Sequence, residues 1–133
     1  MKKLVRTKIP EIIQKSGRDV VSVTVTGEDL KLLLADKLIE EANELASALR
    51  NNEENYNVVG EIVDITDVID SIQSLLRIST YSIDGLRSTK NECRGGFLNT
   101  VHNSNGAMNL VSITYEGIYI SEITEKDKKW EMY

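Results

Sequence analysis

Two pairs of carboxylates at helical spacing constrain the fold of this chain more than any other feature. Glu41 and Glu44 lie in KLIEEANEL, Glu61 and Asp64 lie in GEIVD, and each pair is three residues apart. On an α-helix this spacing puts both side chains on one face, in adjacent turns. If two helices fold back on each other near residue 52, Glu44 comes level with Glu61 and Glu41 with Asp64. The spacing therefore predicts an antiparallel helical hairpin with four facing carboxylates.

The apolar residues around the two pairs repeat with the period of an α-helix. Leucines every three or four residues predict a long helix from Glu28 to about Leu49, and valines and isoleucines predict a second from about Glu54 to Ile78. The pair Asn51-Asn52 between them supplies the break and a cap. Glu41 falls inside the apolar stripe of the first helix, where a carboxylate without a partner is costly.

The flanking segments predict smaller elements. A short helix covers Ile9 to Lys15, the alternating stretch Val20 to Thr26 is a strand or, as we favour, an extended connector, and a fourth helix follows Ser82. Two short alternating runs around Glu116-Gly117 predict a β-hairpin. The predicted fold is therefore mainly α: a helical bundle over residues 1–97, with a loop and β-hairpin extension over residues 98–133.

Composition narrows the class of protein. The chain has 133 residues, of which 41% are hydrophobic and 28% charged, as expected for one compact domain. The single cysteine excludes an intrachain disulfide, and neither a signal peptide nor a membrane span is predicted, so we expect a cytoplasmic protein. The net charge of −5 argues against binding to a nucleic-acid backbone.

Four facing carboxylates repel one another unless a cation lies between them. Hard oxygen ligands suit Mg²⁺, with Mn²⁺ as an alternative, and a magnesium ion held by a few carboxylates keeps coordination sites for phosphate oxygens. Such a site, holding one or two metal ions, suits the hydrolysis of a nucleoside triphosphate. Glu40 lies beside the four carboxylates, at the edge of the predicted site. It could orient or deprotonate the attacking water.

The same segments resemble a known family. KLIEEANEL and GEIVD are similar to the EExxE and ExxD motif of the all-α nucleoside triphosphate pyrophosphatases, the group that includes MazG-like and phosphoribosyl-ATP pyrophosphohydrolase-like proteins. KLVRTKIPEIIQKSG at residues 3–17 and KNECRGGF at residues 90–97 resemble a MazG-like branch of this group. Thr7 departs from the pattern, since relatives generally have Asp there. The resemblance covers residues 3–97.

The resemblance implies an all-α, oligomeric enzyme, a dimer or tetramer. It implies Mg²⁺ at Glu41, Glu44, Glu61 and Asp64, and cleavage between the α and β phosphates of an NTP or dNTP to give a monophosphate and pyrophosphate. The basic residues in and beside the motifs are the predicted phosphate contacts: Arg6, Lys8, Lys37, Lys90 and Arg94.

Two other functions fit the same residues. The first is a non-catalytic helical module that holds a metal and a nucleotide, or a protein partner. The second is hydrolysis of phosphoribosyl-ATP itself. The sequence does not predict which base or sugar the nucleotide substrate has, because no aromatic or amide cluster lies at helical spacing from the four carboxylates.

Overall fold

The computed structural model describes residues 2–98 and 108–110. This part of the chain is mainly helical, as predicted, and contains the helices α1 (Ile9–Lys15), α2 (Gly27–Arg50), α3 (Asn55–Leu75) and α4 (Thr80–Arg94). Residues 20–26 form neither helix nor strand, which confirms the predicted connector. The predicted β-hairpin around Glu116-Gly117 lies outside the described residues.

The turn between α2 and α3 follows from the local chemistry of one asparagine. Asn52 has φ 51°, in the left-handed region that asparagine tolerates better than most side chains. Its amide donates to the carbonyl of Leu49 at 3.3 Å, and the amide of Glu53 donates to the carbonyl of Ala48 at 3.0 Å. These two bonds form the Schellman motif that ends many helices. The predicted break at Asn51-Asn52 is confirmed, although it caps the end of α2 rather than the start of α3.

The packing of α2 against α3 forms the core of the hairpin, and a single line of residues on α2 faces that seam. Leu34, Glu41 and Ala48 are its three buried residues, and they recur every seven positions, which is two helical turns. Leu34 contributes apolar surface to this line, and the small side chain of Ala48 allows close approach of a neighbouring helix. Glu41 places a carboxylate on the same buried line, as the apolar pattern predicted.

The chain divides into two compact units, Met1–Ser79 and Thr80–Tyr133. The first unit holds α1, α2 and α3, and the second begins with α4. The boundary predicted from sequence, after residue 97, stays a prediction. No helix in the described residues is long and apolar enough to cross a membrane.

Candidate metal centre

The helical hairpin brings three of the four predicted carboxylates together. Glu41, Glu61 and Asp64 each offer one oxygen, and these oxygens all lie within 4.8 Å of one another. The distance across an octahedral Mg²⁺ ion, from ligand to opposite ligand, is about 4.2 Å. Neighbouring ligands of such an ion lie about 3 Å apart, so the three side chains would have to turn towards one another to hold one ion. We call these three residues the acidic triad.

Two buried oxygens make the acidic triad a candidate cation site. Glu41 is only 5% exposed. One of its carboxylate oxygens, Oε2, and Oε2 of Glu61 are both buried with no hydrogen-bond donor in reach. Buried polar atoms in proteins are nearly always paired, so two unpaired anionic oxygens at one place call for a positive partner. The donor set of carboxylates alone suits a hard divalent ion such as Mg²⁺.

Glu44, the fourth predicted ligand, lies at the edge of the acidic triad. It is not among the three residues whose oxygens converge. Glu44 is exposed. Its pKa is nevertheless raised above the ordinary value, first by partial desolvation of its carboxyl group and then by the negative charges of Glu41 and Glu61. The raised pKa shows that Glu44 shares the field of the acidic triad. A cation bound there would favour its ionised form.

Glu40, the predicted general base, is held by two lysines. Lys3 Nζ lies 3.2 Å from Glu40 Oε1, and Lys37 Nζ lies 3.4 Å from Oε2. The hydrogen bond from Lys3 is the main reason that the pKa of Glu40 is lowered, and Lys37 adds to it. A carboxylate held in this way accepts a proton less readily than a free one, so it would orient a water better than deprotonate it.

Lys37 connects Glu40 to the acidic triad. Its ammonium group lies 3.0 Å from Glu41 Oε1, in the i, i+4 geometry that the sequence allows, and its side chain is 17% exposed. Burial opposes the charged form, but the hydrogen bond and the charge of Glu41 outweigh it and raise the pKa of Lys37. Lys37 is therefore a fixed positive charge against one triad carboxylate.

Arg6 reaches the acidic triad from residues 2–7, which we call the basic segment. Its Nη2 donates to Asp64 Oδ1 at 2.5 Å and its Nη1 donates to Asp67 Oδ2 at 2.8 Å. These two carboxylates raise the pKa of Arg6. Arg6 is thus a predicted phosphate contact that touches a triad residue from outside the hairpin helices.

The other three predicted phosphate contacts are Lys8, Lys90 and Arg94. Lys8 is exposed at the N-cap of α1. Lys90 and Arg94 are exposed on α4, in the second compact unit. Their roles stay predictions.

A cavity of about 580 Å³ opens beside the acidic triad. Proteins use cavities of about 300–1,000 Å³ for small ligands. Glu41 and Asp64 belong to its lining, with Arg6 and Lys37, so charged groups of both signs face the same space. The remaining walls are largely apolar and come from the basic segment, the start of α1 and the two hairpin helices: Leu4, Val5, Ile9, Leu30, Leu34 and Val68.

Sequence reasoning missed two residues around the acidic triad, Lys3 and Asp67. Asp67 lies three residues after Asp64, so extending the Glu61-Asp64 spacing by one more step would have found it. Lys3 carries no such signal, because its contact with Glu40 spans 37 positions of the chain. Only the path of the basic segment along the hairpin brings the two together.

No protein-family model matches the chain, and no curated protein and no solved structure matches it. The resemblance to the all-α nucleoside triphosphate pyrophosphatases therefore rests on the four sequence segments that carry it.

Proposed function

We propose that this protein is a Mg²⁺-dependent nucleoside triphosphate pyrophosphohydrolase that cleaves an NTP or dNTP to the monophosphate and pyrophosphate. The observation that carries the proposal is the convergence of Glu41, Glu61 and Asp64, with two buried oxygens that have no donor. The cleavage position, between the α and β phosphates, comes from the motif resemblance.

The charge balance of the site supports a metal-bound anionic substrate. Among the described residues, six carboxylates and three basic side chains belong to the site, which gives a formal charge of −3. The carboxylates are those of Glu40, Glu41, Glu44, Glu61, Asp64 and Asp67, and the basic side chains are those of Lys3, Arg6 and Lys37. A bare triphosphate would be repelled by this excess of negative charge. A divalent cation reverses the balance locally, so metal and phosphate chain are expected to bind together.

Each residue of the site has a part in this proposal. Glu41, Glu61 and Asp64 would hold the ion, with Glu44 completing the set. A bound Mg²⁺ neutralises phosphate charge and lowers the pKa of a coordinated water. Lys37 keeps Glu41 oriented through the 3.0 Å contact. Glu40, fixed by Lys3 and Lys37, would orient the attacking water, and the apolar part of the cavity would exclude competing water.

A substrate panel tests the proposed activity. The full chain is incubated with each NTP and dNTP and with phosphoribosyl-ATP, with and without Mg²⁺, and phosphate is measured after adding inorganic pyrophosphatase. We expect phosphate that depends on both Mg²⁺ and the added pyrophosphatase. Phosphate released without the added pyrophosphatase would place the cleavage at the terminal phosphate instead. Binding without turnover on any substrate would favour a non-catalytic nucleotide-binding module.

The hairpin also supports assembly into a homo-oligomer. Within the described residues only Leu34, Glu41 and Ala48 are buried, which is a small core for helices of this length. Leu32 and Ile39 lie on the side of α2 opposite this buried line, and they are 59% and 60% exposed. Apolar side chains on the outer face of a helix are typical of a second packing surface. We propose that copies of the hairpin pack there, as a dimer or tetramer.

Light scattering measures this assembly directly. Wild-type protein is expected to have the mass of a dimer or tetramer at micromolar concentration. Ile39→Glu is expected to shift the mass towards the monomer, because a charge would be buried in the interface. Asn57→Glu, at an exposed position of α3, is the matched control and should keep the wild-type mass. A monomeric wild-type chain would contradict the proposal.

A further inference from the structure

The basic segment places a positive charge where the acidic triad would receive a metal. Arg6 contacts Asp64 at 2.5 Å, and Asp64 is a triad residue. A divalent ion bound by Asp64 would lie about 5 Å from the guanidinium group, given metal–oxygen distances of about 2.1 Å. Two positive groups this close repel each other, so the ion and the present Arg6 contact oppose each other.

The contact between Arg6 and Asp64 can be broken at little cost. The Arg6 side chain is 56% exposed, and Asp64 and Asp67 are 39% and 48% exposed. Ion pairs this exposed contribute little to stability, because water and salt screen them. Asp67 is not part of the acidic triad, so it can keep its hydrogen bond from Arg6 Nη1 while Nη2 leaves Asp64.

Arg6 also lies where an anionic ligand would enter. It lines the cavity of about 580 Å³ together with Asp64, Asp67 and Lys37. A guanidinium group binds phosphate oxygens through paired N–H donors, with a geometry that a lysine cannot reproduce. The same side chain can therefore face either a triad carboxylate or a phosphate chain.

We propose that Arg6 is an exchangeable counter-cation of the acidic triad, which neutralises Asp64 in the metal-free protein and moves to the phosphate chain when a metal-bound triphosphate enters. Arg6 then weakens the binding of Mg²⁺ alone and strengthens the binding of the Mg²⁺-bound anion. Metal and phosphate chain bind with positive coupling, and each raises the affinity for the other. This inference rests on the proposed function, because it takes the acidic triad as the metal site.

Isothermal titration calorimetry of the full chain tests the exchange without any turnover. Mg²⁺ is titrated alone, and inorganic tripolyphosphate is titrated in excess Mg²⁺, so that base preference does not matter. Arg6→Gln is expected to bind Mg²⁺ about 10-fold more tightly than wild type, because a repelling charge is removed. It is expected to bind the Mg²⁺–tripolyphosphate complex about 10-fold more weakly.

Two further variants separate exchange from a general change in charge. Lys3→Gln removes one positive charge from the same segment, but Lys3 contacts Glu40 and not a triad carboxylate, so Mg²⁺ affinity should change much less. Arg6→Lys keeps the charge and loses the paired donors, so its Mg²⁺ affinity should stay near wild type while its tripolyphosphate affinity falls. Circular dichroism checks that each variant keeps its helices.

The direction in which Arg6→Gln changes the affinity for Mg²⁺ decides whether Arg6 opposes the ion or holds Asp64 in place for it. Tighter Mg²⁺ binding supports the exchange. Unchanged or weaker Mg²⁺ binding overturns it, and weaker binding would mean that Arg6 instead holds Asp64 in place for the ion. If the wild-type chain binds no Mg²⁺ at all, the proposed metal site fails as well, and the exchange fails with it. The two failures are therefore distinguishable.

Discussion

Replacing Glu61 by glutamine together with Asp64 by asparagine is expected to lower Mg²⁺-dependent turnover by at least about 100-fold. The two substitutions keep the size of both side chains and remove the charges of two of the three residues whose oxygens converge. Loss of groups that merely support a metal ligand typically costs about 10–100-fold in metal affinity or activity, so loss of two ligands should cost more. Steady-state rates at saturating substrate, over a range of Mg²⁺ concentrations, measure the effect.

The matched control for this double variant is Asp70→Asn with Asp84→Asn. It removes two carboxylates from α3 and α4 that are exposed and lie outside the acidic triad. This control should keep the wild-type dependence on Mg²⁺. Turnover that survives Glu61→Gln with Asp64→Asn would exclude the acidic triad as the metal site. Loss of turnover with unchanged Mg²⁺ binding by calorimetry would exclude it equally.

Replacing Glu41 by leucine is expected to stabilise the metal-free protein while abolishing its binding of Mg²⁺. Leucine at this position would complete an apolar line with Leu34 and Ala48, and it would remove a buried oxygen that has no donor. Lys37 keeps Glu40 as an ionic partner at 3.4 Å, so its charge is not left unpaired. Replacing a whole buried ion pair by apolar residues is neutral or stabilises a protein by about 1–4 kcal/mol, whereas removing one partner is costly when the other charge stays buried and unpaired. Because Lys37 keeps Glu40 as its partner, we expect the gain to prevail and to be roughly 1 kcal/mol.

Urea unfolding with and without Mg²⁺ tests both expectations, the gain in stability and the loss of Mg²⁺ binding. The free energy of unfolding of the Glu41→Leu variant should exceed that of wild type without metal and should not respond to Mg²⁺. Wild type should gain about 2.7 kcal/mol when Mg²⁺ is at 100 times its dissociation constant. Asp36→Leu, an exposed position on the same helix, is the control and should change little. A metal-free Glu41→Leu variant less stable than wild type would show that Glu41 is a structural ion-pair residue.

Local features of the sequence predicted the four helices, although α4 begins at Thr80 and so includes Ser82, which was expected to precede it. The apolar period of 3.6 predicted α2 and α3 to within a few residues, and Ile9–Lys15 was predicted with the observed bounds. The asparagine pair predicted the turn, since asparagine accepts the positive φ found at Asn52. These features depend on neighbours in sequence, so sequence alone could reveal them.

The sequence by itself determined which carboxylates could meet, because an antiparallel hairpin fixes the register of its two helices once the turn is known. It predicted that Glu41, Glu44, Glu61 and Asp64 face one another and that Glu41 lies on the buried line, and the structure brings together the oxygens of Glu41, Glu61 and Asp64. Only the tertiary structure decided which charges balance them. Arg6 reaches Asp64 across 58 positions and Lys3 reaches Glu40 across 37, and both lie in the basic segment, which contains no helix. Contacts of that kind depend on the path of the chain in space, which no local period or spacing encodes.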